Sequence, residues 1–342
     1  MKAARIHGPG DVRVDDLVDP IPGRGDVVVE VRACGVCPSD IRSFYGATSR
    51  APWTPGHEVA GVVVRLGEEV PSGIDVGDRV VADWRRVCGQ CFYCLSGSAN
   101  FCERRTEFPI AGFAEYIVVP HDVLHRLPAS VTFEEATFIE PLACILNAHR
   151  AMPVEPAQDV VVLGAGPIGL MHVQVAARRG ARVIAVDLLE QRLTKAEQLG
   201  AHETVDASKG DPVAAVRELT GGYGASAVIV AIGSVEAAKQ AFAMSRRGGV
   251  VSLFAGFYPS SKLQLDLNVI HYDEITLTGS HDYRPTEFVE SLRLVAHGII
   301  SVAPLVTHRY PLAEIAQAFA TTRARNGLKS LILNEAKETP SR

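Results

Sequence analysis

The chain has 342 residues, of which 47% are hydrophobic and 21% charged, a balance that predicts two globular domains, each able to bury a core. Its formal net charge of -5 and pI near 6.1 argue against a nucleic-acid or membrane-surface partner. No apolar run approaches the roughly 18 residues of a membrane span, and the opening MKAARIHGPGDVRVDD lacks a signal-peptide core, so a cytoplasmic location with reduced thiols is expected.

In the first 150 residues, VVVEVRAC, EVAGVVVRLG, DRVVAD and AEYIVVP are predicted strands separated by Gly, Pro and Asp. They describe an all-β unit. The pattern then changes. DVVVLGAGPIG is a buried strand with a glycine turn, and PIGLMHVQVAARRG a helix ending at Gly180. ARVIAVD and EQRLTKAEQLG repeat the strand–helix pair. ASAVIVAIG and GGVVSLFAGF flank the helix VEAAKQAFAMS, and EITLTGS ends the run. Such alternation predicts a doubly wound parallel sheet, placing the chain in the α/β class. The tail returns to helix in PTEFVESLRLVAHG and LAEIAQAFATTRA, then to a strand, LKSLILN, and a polar end, EAKETPSR.

Four of the seven cysteines, Cys88, Cys91, Cys94 and Cys102, fall at C-x2-C-x2-C-x7-C spacing. In a reducing compartment this predicts a metal lobe over 88–102, not a disulfide pair. Four thiolates close a tetrahedral zinc site and leave no position for chemistry. An iron–sulfur cluster is the other metal reading; the proline that follows the last cysteine of the ferredoxin run is here Glu103.

A second, open site is suggested by three separated stretches. ACGVCPSD carries Cys37, TPGHEVAGVVVRLGEEV carries His57 and Glu58, and FIEPLACILNA sets Glu140 among apolar neighbours, where a carboxylate must be paired, protonated or metal-bound. Three protein ligands and an open position are the arrangement of catalytic zinc. The pattern G-H-E-x2-G-x5-G-x2-V runs unbroken from Gly56 to Val70, and it stands in order with the G-V-C-x-S-D segment, the four-cysteine lobe and a glycine fingerprint. In this the whole chain resembles the zinc-containing medium-chain dehydrogenase/reductase (alcohol dehydrogenase) family, in its sorbitol- and threonine-dehydrogenase-like branch.

The resemblance implies that Cys37, His57 and Glu140 are catalytic zinc ligands and that Glu58 ligates or exchanges with water. It implies that Asp40 supports His57 from behind and that Ser39 begins a proton relay. Arg42 stands where some branches continue that relay with a histidine. Cys34 and Cys144 are expected to be core residues. The implied architecture is a GroES-like β-rich catalytic domain, residues 1–147 and 281–342, plus a Rossmann domain, residues 148–280.

Gly164-x-Gly166-x-x-Gly169 follows a strand and opens a helix, and Asp187 ends the next strand. In that setting the glycines allow a tight turn, close pyrophosphate approach and close helix packing, with the phosphates at the helix N-terminus. Pro167, Ile168 and Arg192 complete the candidate cofactor-binding set. An acid at 187 can bond ribose hydroxyls and repels a 2′-phosphate, which favours NAD over NADP.

Two zinc ions and NAD are therefore the expected cofactors. The expected activity is hydride transfer between NAD and a secondary alcohol of polyol, sugar or cyclitol type. Arg85 and Asp282 are further candidates for substrate contact, with an anion or with hydroxyls and amines. The alternatives are an L-threonine 3-dehydrogenase-like enzyme and, from another class, an inactive binding member of the fold. The strand in EITLTGS is expected to pair with its twin in a homodimer or homotetramer.

Overall fold

The computed structural model describes residues 1–46, 52–107 and 111–335; most of the polar tail lies outside them. In chain order the strands are β1 (Lys2–Gly8), β2 (Asp11–Asp16), β3 (Asp26–Gly35), β4 (Glu58–Leu66), β5 (Arg79–Ala82), β6 (Arg85–Arg86), β7 (Thr106–Glu107), β8 (Tyr116–Pro120) and β9 (Leu124–Arg126). They continue as β10 (Asp159–Leu163), β11 (Arg182–Asp187), β12 (Glu203–Asp206), β13 (Ala225–Val230), β14 (Ser245–Leu253), β15 (Thr276–Gly279), β16 (Val306–Pro311) and β17 (Lys329–Leu333). The first six helices are α1 (Pro38–Tyr45), α2 (Phe92–Leu95), α3 (Phe133–Ala136), α4 (Ile139–Arg150), α5 (Pro167–Arg178) and α6 (Glu190–Gln198).

Two compact units result, Met1–Pro141 with Phe288–Arg342, and Leu142–Glu287. The chain passes from the first to the second inside α4, ahead of the 147/148 junction expected from sequence, and returns after Glu287, beyond the expected 280/281.

The first unit is built on a seven-stranded sheet in the order β16-β17-β3-β4-β5-β9, with β8 also pairing β3. β3 is central and antiparallel to β4, β8 and β17. Its side chains are buried from Val27 through Val31, as a strand covered on both faces requires. Cys34 belongs to the hydrophobic cluster on one face, with Val59 and Ile332 from the neighbouring strands. Phe319 meets Phe44 and Phe113 edge-on in the same cluster, at ring-centroid distances of 5.1 and 5.7 Å.

The second unit holds six parallel strands in the order β12-β11-β10-β13-β14-β15. Strand order reverses beside β10, so a crevice opens at that strand's carboxyl end, the place where open α/β sheets bind ligands. β15 forms one edge, with Thr276, Leu277 and Gly279 exposed. A helix over Pro212–Leu219 and the strand β12 were not anticipated; both are short.

Inside this unit His149 Nε2 lies 3.1 Å from His172 Nδ1, and Phe254 meets the His172 ring edge-on. Both imidazoles are fully buried and their outer nitrogens find no partner among the described residues. Burial lowers both pKa values, that of His172 to about 3. The pair is therefore neutral in the fold at pH values where an unfolded histidine, with a pKa of about 6.5, takes up a proton. The unfolded state binds more protons over that window, so stability is full above pH ~6.5 and falls as the pH drops toward ~3. Denaturant unfolding between pH 6.5 and 4.5 is expected to lose up to about 1.4 kcal/mol per pH unit for each histidine. His172→Gln should shallow that slope by about one proton's worth; an unchanged slope would mean the imidazole is not held neutral.

Candidate active site

The four lobe cysteines converge. Their sulfurs lie within 4.8 Å of one another, with Cys88 Sγ 3.9 Å from Cys94 Sγ and Cys91 Sγ 3.9 Å from Cys102 Sγ. A disulfide needs about 2.05 Å. Sulfurs on the corners of a zinc tetrahedron, at ~2.3 Å from the ion, are separated by ~3.8 Å. Backbone N–H groups of Gln90 and Cys91 donate to Cys88 Sγ at 3.4 and 3.3 Å, and that of Cys88 to Cys102 Sγ at 3.3 Å. These donors hold the Cys88 thiol down to about 6, whereas burial and the adjacent thiols push Cys94 up to about 12. Four thiols this close ionise together only around a cation, so the donor set fits zinc. Short α2 offers no buried side chain to fix this lobe by packing, and Cys91 and Cys102, two of the four thiols, are buried beside it.

The second cluster is assembled by three adjacent strands. Gly35 on β3 pairs directly with Glu58 on β4 and with Leu331 on β17. Side chains alternate along a strand, so Lys329 shares the face of Leu331, and Gly35, Glu58 and Lys329 lie on one face. A Cβ at residue 35 would overlap the Glu58 carboxylate and come within 2.9 Å of Lys329 Cε. Glycine therefore leaves the volume in which Glu58 and Lys329 form a buried ion pair. Phe138 lies beneath Lys329, with its ring centroid 5.9 Å from Nζ.

Cys37 follows β3 and caps α1. Its backbone N–H donates to Asp40 Oδ2 at 3.0 Å, while Asp40 Oδ1 lies 3.6 Å from His57 Nδ1. One buried carboxylate thus fixes the helix entry and directs the imidazole, turning Nε2 away from itself. Cys37, His57 and Glu58 offer donor atoms within 4.8 Å of one another. Ser39 sits half-buried in the first turn of α1, and Arg42 is exposed. Cys34 is fully buried on the other face of β3, and burial pushes its thiol well up.

Electrostatics in this pocket are dominated by desolvation. Burial raises the Glu58 pKa, assisted by the charge of Glu140 and opposed by Lys329 and His57. Burial works against the Lys329 charge, but Glu58, Cys37 and Asp40 together outweigh it and keep the ammonium above its ordinary pKa. The same contest raises His57 well above its usual value, burial being overcome by Asp40 and Cys37.

Glu140 lies outside the group of three. Its Oε1 accepts from Trp84 Nε1 at 3.2 Å and lies 3.6 Å from Arg85 Nη2. Arg85 is buried, stacks on Trp84 at 4.3 Å and is engaged with Glu140, which explains why it does not stand open to an anion. Asp282 belongs to the second unit; it is buried at φ 71°, and its Oδ1 accepts from Tyr283 N at 2.7 Å. Its position is that of a turn-forming residue. Sequence reasoning missed Lys329 and Trp84. The signal for Lys329 was a lone cation in the apolar run LKSLILN, which demands a partner.

In the second unit Gly164 has φ 96°, and a Cβ there would overlap Ile232. A Cβ on Gly169 would overlap the Gly164 carbonyl oxygen, while nothing lies within 4 Å of the Cβ position at Gly166. That free space borders the N-terminus of α5, opened by Pro167 and Ile168, and it suits a pyrophosphate. Asp187 Oδ2 accepts from Ala165 N at 2.7 Å and Oδ1 from Leu189 N at 3.0 Å; Arg192 Nη1 lies 4.0 Å from Oδ2.

Family comparison agrees with both units. A zinc-binding dehydrogenase family matches residues 167–297, and an alcohol dehydrogenase GroES-like domain matches residues 23–129. The sorbitol dehydrogenase of Halalkalibacterium halodurans is 36% identical over 333 residues, covering 95% of this chain and 96% of that one. The chain belongs to the zinc-type medium-chain alcohol dehydrogenase family.

The D-arabitol-phosphate dehydrogenase of Enterococcus avium is 33% identical, covering 99% of each chain. A solved structure described as a zinc-binding dehydrogenase from Sinorhizobium meliloti 1021, bound to NADP, superposes with a TM-score of 0.90 at 30% identity, over 97% of this chain and 99% of that one. The fold is thus a GroES-like domain with a parallel Rossmann-like sheet, and the chain is an alcohol or polyol dehydrogenase of the zinc type that uses a nicotinamide cofactor. No helix among the described residues is long and apolar enough to cross a membrane.

The lobe geometry generates a direct test. Cys102→Ser should bind one zinc fewer per chain by elemental analysis and unfold at lower temperature, because the lobe has little packing to replace the ion. Cys144→Ser should keep the full complement; equal metal content in both variants would sink the lobe assignment.

Proposed function

We propose that this dehydrogenase oxidises a secondary alcohol of polyol, sugar or cyclitol type with NAD, reversibly. The observation that carries the reading is the convergence of Cys37, His57 and Glu58 donors within 4.8 Å, in a chain that also bears the dinucleotide turn at Gly164–Gly169. Cys37, His57 and Glu58 would hold the zinc ion, which as a Lewis acid lowers the pKa of a hydroxyl and makes its deprotonation accessible near neutral pH.

The chain's own groups supply the rest. Asp40 fixes the His57 tautomer, so one ring nitrogen stays available as a donor atom. Lys329 balances the charge of Glu58. Ser39, two residues beyond Cys37 in the first turn of α1, accepts the hydroxyl proton and passes it outward. Asp187, held by the Ala165 and Leu189 N–H groups at the end of β11, bonds the ribose hydroxyls and disfavours a 2′-phosphate. Polyol use is supported by the sorbitol and D-arabitol-phosphate dehydrogenase relatives.

Absorbance at 340 nm, followed with NAD⁺ or NADP⁺ across polyols, cyclitols, amino-alcohols and threonine, tests the reading. Reduction of NAD⁺ by at least one polyhydroxylated secondary alcohol is expected; silence across the whole panel from zinc-replete protein would remove it. Asp187→Ser should shift the NADP⁺/NAD⁺ preference by roughly tenfold or more, since about 1.4 kcal/mol of lost repulsion is tenfold. Ser39→Ala should lower kcat by about a hundredfold with zinc content unchanged. Full activity without the hydroxyl would assign the proton to another group.

A further inference from the structure

Two buried carboxylates, Glu58 and Glu140, each lie against a buried cation, Lys329 and Arg85. Glu58 shares the 4.8 Å donor cluster with Cys37 and His57; Glu140 does not. Glu140 Oε1 is engaged twice, by the Trp84 indole N–H at 3.2 Å and by the Arg85 guanidinium at 3.6 Å. Arg85 is itself held, stacked on Trp84 at 4.3 Å and only 7% exposed. Trp84 also faces His57, with ring centroids 5.7 Å apart, so this restraint is built against the metal pocket and not remote from it.

We propose that Arg85, acting with Trp84, is a positioning residue that holds Glu140 away from the Cys37, His57 and Glu58 donor set. The inference rests on the metal-dependent reading above. A planar guanidinium that is stacked and buried holds a carboxylate in one orientation at little further entropic cost. Groups that touch a ligand from behind change metal affinity by about 10–100-fold when removed, so the effect is measurable.

Metal-free protein titrated with Co²⁺ and read by visible absorption tests it, with Cys37→Ser as the blank for the four-cysteine lobe and circular dichroism as the check on folding. Glu58→Gln should weaken the second Co²⁺ about tenfold and move its bands, whereas Glu140→Gln should change neither by more than about twofold. Arg85→Met should free Glu140, tighten Co²⁺ by about tenfold and shift the bands toward a carboxylate-saturated site. Adding Glu140→Gln to Arg85→Met should cancel both changes, and Arg85→Lys, which keeps the cation, should retain most of the original spectrum.

A merely structural role for Arg85 would not give a spectral change that depends on Glu140. Loss of Co²⁺ in Glu140→Gln as large as in Glu58→Gln, or an unaltered spectrum in Arg85→Met, overturns the inference and leaves the dehydrogenase reading intact. A Cys37→Ser variant that binds as much Co²⁺ as the original chain overturns both.

Discussion

Charge balance around a cluster of buried carboxylates governs the first unit. Asp40, Glu58 and Glu140 are buried, and Cys37 stands with them. A thiol must ionise to ligate. Lys329 stands against Glu58 and Arg85 against Glu140, and a metal ion would add its positive charge where Cys37, His57 and Glu58 converge. Leaving a buried charge unpaired costs several kcal/mol, a large share of a domain's net stability. Metal, ion pairs and strand arrangement therefore form one interdependent set. The many exposed ion pairs elsewhere, such as Arg13 with Asp11, contribute little by comparison.

The backbone creates this pocket with few special features. Adjacent strands place residues on one face at fixed spacing, and a missing Cβ at Gly35 admits two charged groups between them. The turn from β3 into α1 then delivers Cys37 and Asp40 together, because a helix N-terminus brings residues three apart onto one another. The opposite face of the same strands carries Cys34, Val59 and Ile332 into the core, so the elements that present the donors are anchored by apolar packing. In the second unit the same economy operates at Gly164 and Gly169, where close packing of strand and helix leaves free space over Gly166.

The nucleotide turn, the strand–helix alternation and the four-cysteine lobe were legible because their determinants are local. Glycines two to five residues apart, or cysteines within one loop, announce their geometry through spacing alone. The resemblance carried Cys37, His57 and Asp40 to one centre, and with them Glu140, which the structure leaves outside the donor cluster. The partner of Glu140 could not be read in this way: Arg85 is far away in sequence, and an arginine next to a tryptophan reads equally well as a surface group or a substrate contact.

By itself, the amino-acid sequence determined the α/β class, the β-rich and nucleotide-binding halves, the thiol lobe and the set of side chains able to meet a metal, because hydrophobic period and short-range spacing encode these directly. Only the tertiary structure decided which carboxylate stands beside Cys37 and His57 and which is held away by Trp84 and Arg85, and that Lys329 completes the pocket. Those outcomes depend on which charges are brought within a few ångströms of one another in a medium that screens them weakly, and strand register and close packing set that proximity.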